Sequence, residues 1–223
     1  MRGIILAGGT GSRLYPLTRV VNKHLLPVYD KPMIYYPINT LKELGCNEII
    51  IISGGENIGG FADLLKDGSE FGVKLTYRVQ KEAGGIPEAL LCAESLVDEL
   101  FPVILGDNYF KETPTMPTVP TLFTNKVPDP ERFGVYHEGN IIEKPINPIS
   151  NLAVTGLYIY DDSVFDFIRT LKPSERGELE VTDINNWYLQ KGIEVIEYKN
   201  TWRDMGTFNT LMEVGNYVKG GLL

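Results

Sequence analysis

Cysteine, histidine and long apolar runs are what this sequence has least of, and each shortage removes a class of function. Cys46 and Cys92 are the only cysteines among 223 residues. Standing far apart, they make neither a disulfide framework nor a pair with metal-ligand spacing. His24 and His137 are the only histidines, and no His/Ser or His/Cys constellation for nucleophilic catalysis is visible. No stretch reaches membrane-spanning length, and the apolar run after Arg2 stops at Gly8 and Gly9, too soon for a secretory leader. A cytoplasmic protein without membrane contact is expected. Basic residues are also short, 21 Lys and Arg against 29 Asp and Glu for a net charge of −8, which argues against a nucleic-acid groove.

The charge that is present is uneven. Residues 1–32 hold Arg2, Arg13, Arg19, Lys23 and Lys31 against Asp30 alone, a local net charge of +4. One basic corner on an acidic chain suits a small polyanion better than a polymer. With 43% hydrophobic residues, the chain can bury a large core as one domain.

Short apolar runs alternate with amphipathic segments, as in an α/β sheet with crossover helices. The pattern predicts strands at Gly3–Ala7, Glu48–Ser53, Lys74–Val79, Pro102–Leu105, Ala153–Tyr160 and Glu194–Tyr198. Helices are predicted at Met33–Leu44, with Pro37 as a kink or a late start, and at Ile58–Leu65, Pro87–Leu100, Ser163–Leu171, Ile184–Lys191 and Thr207–Lys219. Tyr136–Glu143 reads as a hairpin turning at Glu138-Gly139-Asn140. The proline- and threonine-rich stretch Lys111–Glu131 reads as irregular chain.

Between the first strand and Thr18 lies "GIILAGGTGSRLYPLT". Gly8, Gly9 and Gly11 can take positive φ and bring N–H groups close to an anion. The loop is not a P-loop, which ends in Gly-Lys-Ser/Thr, nor a dinucleotide fingerprint, since Leu14 stands where a third glycine is needed. By itself it is balanced between a phosphate cradle and a tight strand-to-helix turn.

Further stretches decide between them. The glycine loop, Arg13, and Lys23 in "NKHLLPVYDKPMIYYP" resemble the sugar-1-phosphate nucleotidyltransferases. "YRVQKEAGGIPEAL", "ILGDN", "DPERFGV", "EKPINPISNLAVTGLYIYD", "RGELEVTDIN" and "WRDMGT" follow in order along nearly the full chain. Together they resemble the glucose-1-phosphate thymidylyltransferase group, in a short form. The resemblance implies a three-layer α/β/α Rossmann-like fold with a mixed, mostly parallel sheet. It also implies one nucleotidyltransferase domain over residues 1–223, with a nucleotide half at about 1–110 and a sugar half at about 111–223.

The implied reaction is Mg²⁺-dependent transfer of a thymidylyl group from dTTP to glucose 1-phosphate, giving dTDP-glucose and pyrophosphate in nucleotide-sugar biosynthesis of the dTDP-rhamnose kind. Two other readings stand beside it: a uridylyltransferase using UTP, and a non-catalytic nucleotide-sugar-binding homologue. The second is disfavoured by the retention of Arg13, Lys23, Asp107 and Asp204. A sugar phosphate is largely dianionic near neutral pH and needs no general base, which agrees with the scarcity of histidine. The barrier is repulsion between polyanions, about 4 kcal/mol for two unit charges at 4 Å and an effective dielectric near 20.

Residue by residue, the resemblance makes Arg13 and Lys23 the catalytic cations on the triphosphate. Leu6, Gly8, Gly9, Gly11, Gln80, Gly85 and Asp107 are placed around the nucleotide, with the Gln80 carboxamide on the pyrimidine edge. Asp107 and Asp204 are implied Mg²⁺ ligands; otherwise Asp107 is a turn aspartate and Asp204 caps the last helix. Asn108, Gly134, Glu143, Lys144, Val154, Tyr158 and Arg176 are placed around the sugar phosphate. A homo-oligomer is a candidate assembly. The segment between Asn108 and Asp129 is shorter than in typical members, and the tail helices that build a regulatory nucleotide-sugar site and an oligomer contact in longer ones are not expected.

Overall fold

The structure, a computed structural model, describes residues 1–97, 99–174 and 177–220. Its first part runs β1 (Arg2–Leu6), β2 (Pro27–Val28), β3 (Lys31–Pro32), α1 (Tyr35–Glu43), β4 (Glu48–Gly54), α2 (Ile58–Leu65), β5 (Lys74–Gln80), α3 (Ile86–Leu91), β6 (Leu100–Leu105) and β7 (Asn108–Phe110). It continues with β8 (Thr121–Lys126), β9 (Gly134–His137), β10 (Asn140–Glu143), β11 (Leu152–Asp161), α4 (Ser163–Ile168), α5 (Val181–Gln190), β12 (Glu194–Glu197), β13 (Trp202–Asp204) and α6 (Phe208–Gly220).

The sheet is ordered β10-β9-β11-β6-β1-β4-β5, with β8 pairing on β11 and β12 on β8. Its parallel core is β6-β1-β4-β5; β11 runs antiparallel to β6 and β8. β1 lies inside this core and is apolar on both faces. Ile4 and Leu6 join a cluster with Ala89, Leu90, Phe165 and Ile184, from α3, α4 and α5. Ile5 joins the opposite cluster with Ile38, Leu41, Phe61 and Leu65, from α1 and α2. Alternate residues thus serve alternate layers, and each fully buried isoleucine contributes about 1.5–3 kcal/mol. This is the expected three-layer α/β/α architecture. No helix among the described residues is long and apolar enough to cross a membrane.

Several local expectations need correction. Lys111–Glu131 contains β8, whose Leu122 and Phe123 are fully buried and which pairs on both sides. Its prolines, 114, 117, 120, 128 and 130, all lie outside the strand and bound it, while the threonines are β-branched and suit it. The helix expected over Pro87–Leu100 is only α3, followed by a 3-10 turn at Glu94–Leu96. Leu100 and Phe101 belong instead to β6, opposite Asp161 and Tyr160. α1 begins at Tyr35 and places Pro37 in its first turn, where a missing N–H costs no helical bond. The hairpin turn is Glu138-Gly139 alone, both at positive φ, and Asn140 is already paired with His137.

Candidate active site

A cavity of about 310 Å³ opens at the carboxyl ends of the parallel strands, where Leu6, Gln80 and Leu105 end β1, β5 and β6. That is where open α/β sheets bind ligands. Gly8, Gly9 and Thr10 form its rim, and Lys23 and Asp107 line it too. The loop's shape depends on Gly11, at φ 66°, which leads into a 3-10 turn at Ser12–Leu14. A Cβ there would stand 2.7 Å from Thr18 Cγ2 and 2.9 Å from Lys23 Cβ. The close fit lets Lys23 cross over Gly9 toward Asp107.

At the floor, Lys23 Nζ is 2.5 Å from Asp107 Oδ2. Burial pushes the Asp107 carboxyl up, but the charges of Lys23 and, less strongly, His24, with hydrogen bonds from Lys23 and Asn108, hold it well below the ordinary carboxylate range. β7 and β13 form a short ladder in which Asn108 faces Asp204, and Met205 N–H donates to the Asp107 carbonyl at 2.7 Å. The two expected metal ligands, remote in sequence, therefore stand side by side. Asp204 is not a helix cap: it ends β13, while Thr207 and Thr210 bond to one another at the start of α6. Its carboxylate accepts from Arg132 at 3.0 and 2.8 Å, with the Arg13 guanidinium at 3.8 Å. Burial pushes Asp204 up to about 6, Arg132 and Arg13 oppose that, and the Asp107 charge adds to it.

Two carboxylates brought together by the β7–β13 ladder, of which Asp107 lines the cavity, are an oxygen donor set that suits Mg²⁺, which keeps water and phosphate oxygens in its other positions. No group of three or more His, Cys, Asp or Glu side chains capable of holding an ion exists among the described residues. Arg13 does not line the cavity; it is half-exposed and held at its edge by Asp204.

Arg132 and His24 were not singled out from the sequence. Arg132 sits in the quoted "DPERFGV" and also pairs with Asp129 at 2.6 Å; that i, i+3 spacing was the available signal. His24 lines the cavity and is almost fully buried. Its N–H and Nδ1 both meet Asn22 Oδ1, at 2.9 and 2.7 Å. Burial and the Lys23 charge push it down to about 3, so the ring is neutral.

Beside Gly8, Gln80 Nε2 donates to Glu88 Oε2 at 2.7 Å and to Gly85 O at 3.1 Å. Gly85, at φ 97°, forms a bridge with Leu179, and a Cβ on it would stand 2.2 Å from Leu179 O. Only glycine fits, and the contact brings Glu178 into the cavity wall.

The expected sugar residues are placed further along the sheet. Glu143 Oε2 accepts from Thr182 Oγ1 at 2.6 Å, and Lys144 Nζ lies 3.0 Å from Glu143 Oε1. Gly134 pairs with Glu143 across the β9–β10 hairpin. Burial first, and then the charges of Glu143 and Asp107, raise the Tyr158 phenol. Val154 and Tyr158 flank an irregularity in β11. There Gly156 N–H donates to Asn108 Oδ1 at 3.0 Å, and Trp202 Nε1 donates to the same oxygen at 2.6 Å. Asn108 Nδ2 donates to Asp107 at 3.0 Å, so this buried amide orients Asp107 and ties β7 to β11 and β13. Arg176 lies outside the described residues.

Residues 2–220 match the family model described as nucleotidyl transferase. Glucose-1-phosphate thymidylyltransferase from Neisseria meningitidis is 42% identical, covering 98% of this chain and 83% of its own length. The Mycobacterium tuberculosis protein of that name is 40% identical over 98% of this chain and 82% of its own. A Bacillus anthracis crystal structure assigned to the same activity, in complex with a sucrose, superposes with a TM-score of 0.91 at 47% identity, covering 99% and 96% of the two chains. An apo UDP-glucose pyrophosphorylase superposes with a TM-score of 0.83 at 26% identity over the whole of both chains.

Proposed function

The chain belongs to the nucleotidyl transferase family, and we propose that it joins the thymidylyl group of dTTP to glucose 1-phosphate, releasing pyrophosphate and forming dTDP-glucose. The observation that carries this reading is the cavity itself. A glycine rim and Lys23 suit a triphosphate, and the Gln80 carboxamide, in the same wall beside Gly8, suits a base.

In the reaction, an oxygen of the sugar phosphate forms a bond to the α-phosphorus while the bond from that phosphorus to the bridging oxygen of pyrophosphate breaks. No proton moves. Lys23 and Arg13 bring positive charge to the phosphates, and the N–H groups of Gly8, Gly9 and Gly11 cradle them, so that catalysis is positioning and charge stabilisation. Asp107 and Asp204 would hold a Mg²⁺ ion, which when bound supplies Lewis-acid stabilisation of charge on the phosphoryl oxygens. Arg132 holds both oxygens of the Asp204 carboxylate. For the sugar, Glu143 accepts hydroxyl hydrogen bonds, Lys144 faces the 1-phosphate, and Gly134, Val154 and Tyr158 shape the pocket. Asn108 contributes by orienting Asp107, and Arg176 is a second phosphate contact.

Transfer of uridylyl from UTP is the second reading, favoured by the UDP-glucose pyrophosphorylase fold match, but at 26% identity against 40–47% for the thymidylyl relatives. A cytoplasmic setting, where both substrates are found, and a homo-oligomeric assembly complete the proposal. Its test is pyrophosphate release across a panel of nucleoside triphosphates and hexose 1-phosphates with Mg²⁺. Turnover is expected with dTTP, and more weakly with UTP, when glucose 1-phosphate is present. Equal turnover with ATP or GTP, or none with any triphosphate, would sink it.

A further inference from the structure

The Gln80 side chain does not choose which end it presents. Both N–H bonds of its carboxamide are engaged, one by the Glu88 carboxylate and one by the Gly85 carbonyl. Each partner accepts only, so turning the amide over would set oxygen against oxygen. That fixes which end is oxygen. Gln80 Oε1 is left facing the cavity beside Gly8, 3.2 Å from where a Cβ on that residue would lie.

Glu88 is itself fixed. Gly84 N–H donates to the same Oε2 at 2.8 Å, and a Cβ on residue 84 would stand 2.5 Å from that oxygen. Part of what Glu88 does is therefore local, an acid in the first turn reaching back to an N–H ahead of its helix. The bond to Gln80 is not needed for that.

We propose that Glu88 is a positioning residue that sets base selectivity in the reaction proposed above. By holding Gln80 with its acceptor outward, it makes the site read a ring N–H. Thymine and uracil carry that N–H at N3; cytosine carries a lone pair there. Cytosine would face acceptor to acceptor and leave both groups unpaired, a penalty on the order of tenfold or more in affinity. The inference rests on the thymidylyl reading for the reaction, but the binding preference can be measured without it.

The test compares dTTP with 5-methyl-dCTP, which share the methyl group and differ at N3 and the 4-position. Dissociation constants come from calorimetry, and kcat and KM from pyrophosphate release with glucose 1-phosphate. The unaltered protein is expected to prefer dTTP by on the order of tenfold or more. Glu88→Met keeps a long side chain but no acceptor, so the longer contact to the Gly85 carbonyl alone is left to oppose a turned amide. The preference should contract by roughly three- to tenfold, in KM more than kcat, with 5-methyl-dCTP binding more tightly than before. Glu88→Gln retains an acceptor where Gly84 holds it and should keep the preference. A ratio unchanged in Glu88→Met, or one that falls equally far in Glu88→Gln, overturns the inference, as does an unaltered protein that binds the two nucleotides alike. If the binding ratios behave as expected while no pyrophosphate is released, the base reading stands and the thymidylyl reaction falls.

Discussion

The Lys23 ammonium lies 2.5 Å from the Asp107 carboxylate, with both side chains largely buried. Two single residues, one after the glycine loop and one in the turn between β6 and β7, are thereby locked into one wall of the cavity. Removing the cation alone leaves a buried charge without its partner. Lys23→Met is expected to destabilise the protein by about 3 kcal/mol in urea unfolding and to cut kcat/KM by two or more orders of magnitude, roughly what a lost charge-stabilising group costs. Adding Asp107→Asn should restore much of the stability and none of the activity. If activity returned with stability, the pair would serve folding alone.

Asp107 and Asp204 stand on neighbouring strands, and a shared Mg²⁺ makes their contributions interdependent. Asp107→Asn and Asp204→Asn should each cost several kcal/mol of transition-state stabilisation, of the order a Lewis-acid metal supplies, with the double variant barely worse than the poorer single. The measurement is kcat/KM for dTTP across a Mg²⁺ titration. Losses that add in log rate would mean that the two carboxylates do not hold one ion.

His24 gives the protein a pH-dependent stability. Its folded value, about 3, lies below the value of about 6.5 for an open chain. The unfolded state therefore binds the proton first, and stability present above pH 6.5 is lost as the pH falls toward 3, at up to about 1.4 kcal/mol per unit. Between pH 7.5 and 5, unfolding free energy should drop by about 2 kcal/mol through this residue. His24→Gln should remove that part of the slope. An identical slope in the variant would assign the acid sensitivity to other groups.

The parallel core was legible because period and length agree: the short apolar run Gly3–Ala7, which β1 overlaps, calls for two covered faces. β8 was not, because the residues that bound it are the same prolines that mark irregular chain. Within the site, Gly11 could be read from its glycine loop, whereas Lys23 and Asp107 were placed there by the resemblance, since each alone reads as a solvated lysine or a turn aspartate. Arg132 and Glu88 could not be read. Each acts through a residue distant in sequence or across a turn, Asp204 for one and Gln80 for the other, and no local pattern distinguishes either from a solvated charge. Asn108 is placed at the sugar by the resemblance, and its hydrogen bonds add a part that no sequence pattern carries: it joins β7, β11 and β13 and orients Asp107.

The ladder between β7 and β13 brings Asp107 and Asp204 together from positions nearly a hundred residues apart, and the chain between them passes through the exposed stretch around Ile146, which is 94% open to solvent. A cut there would leave one carboxylate on each fragment. Neither piece would be an enzyme, and activity would return only on reassembly. The protein is thus divisible without being modular: a foreign segment could replace one end of the chain only if it completed the same ladder.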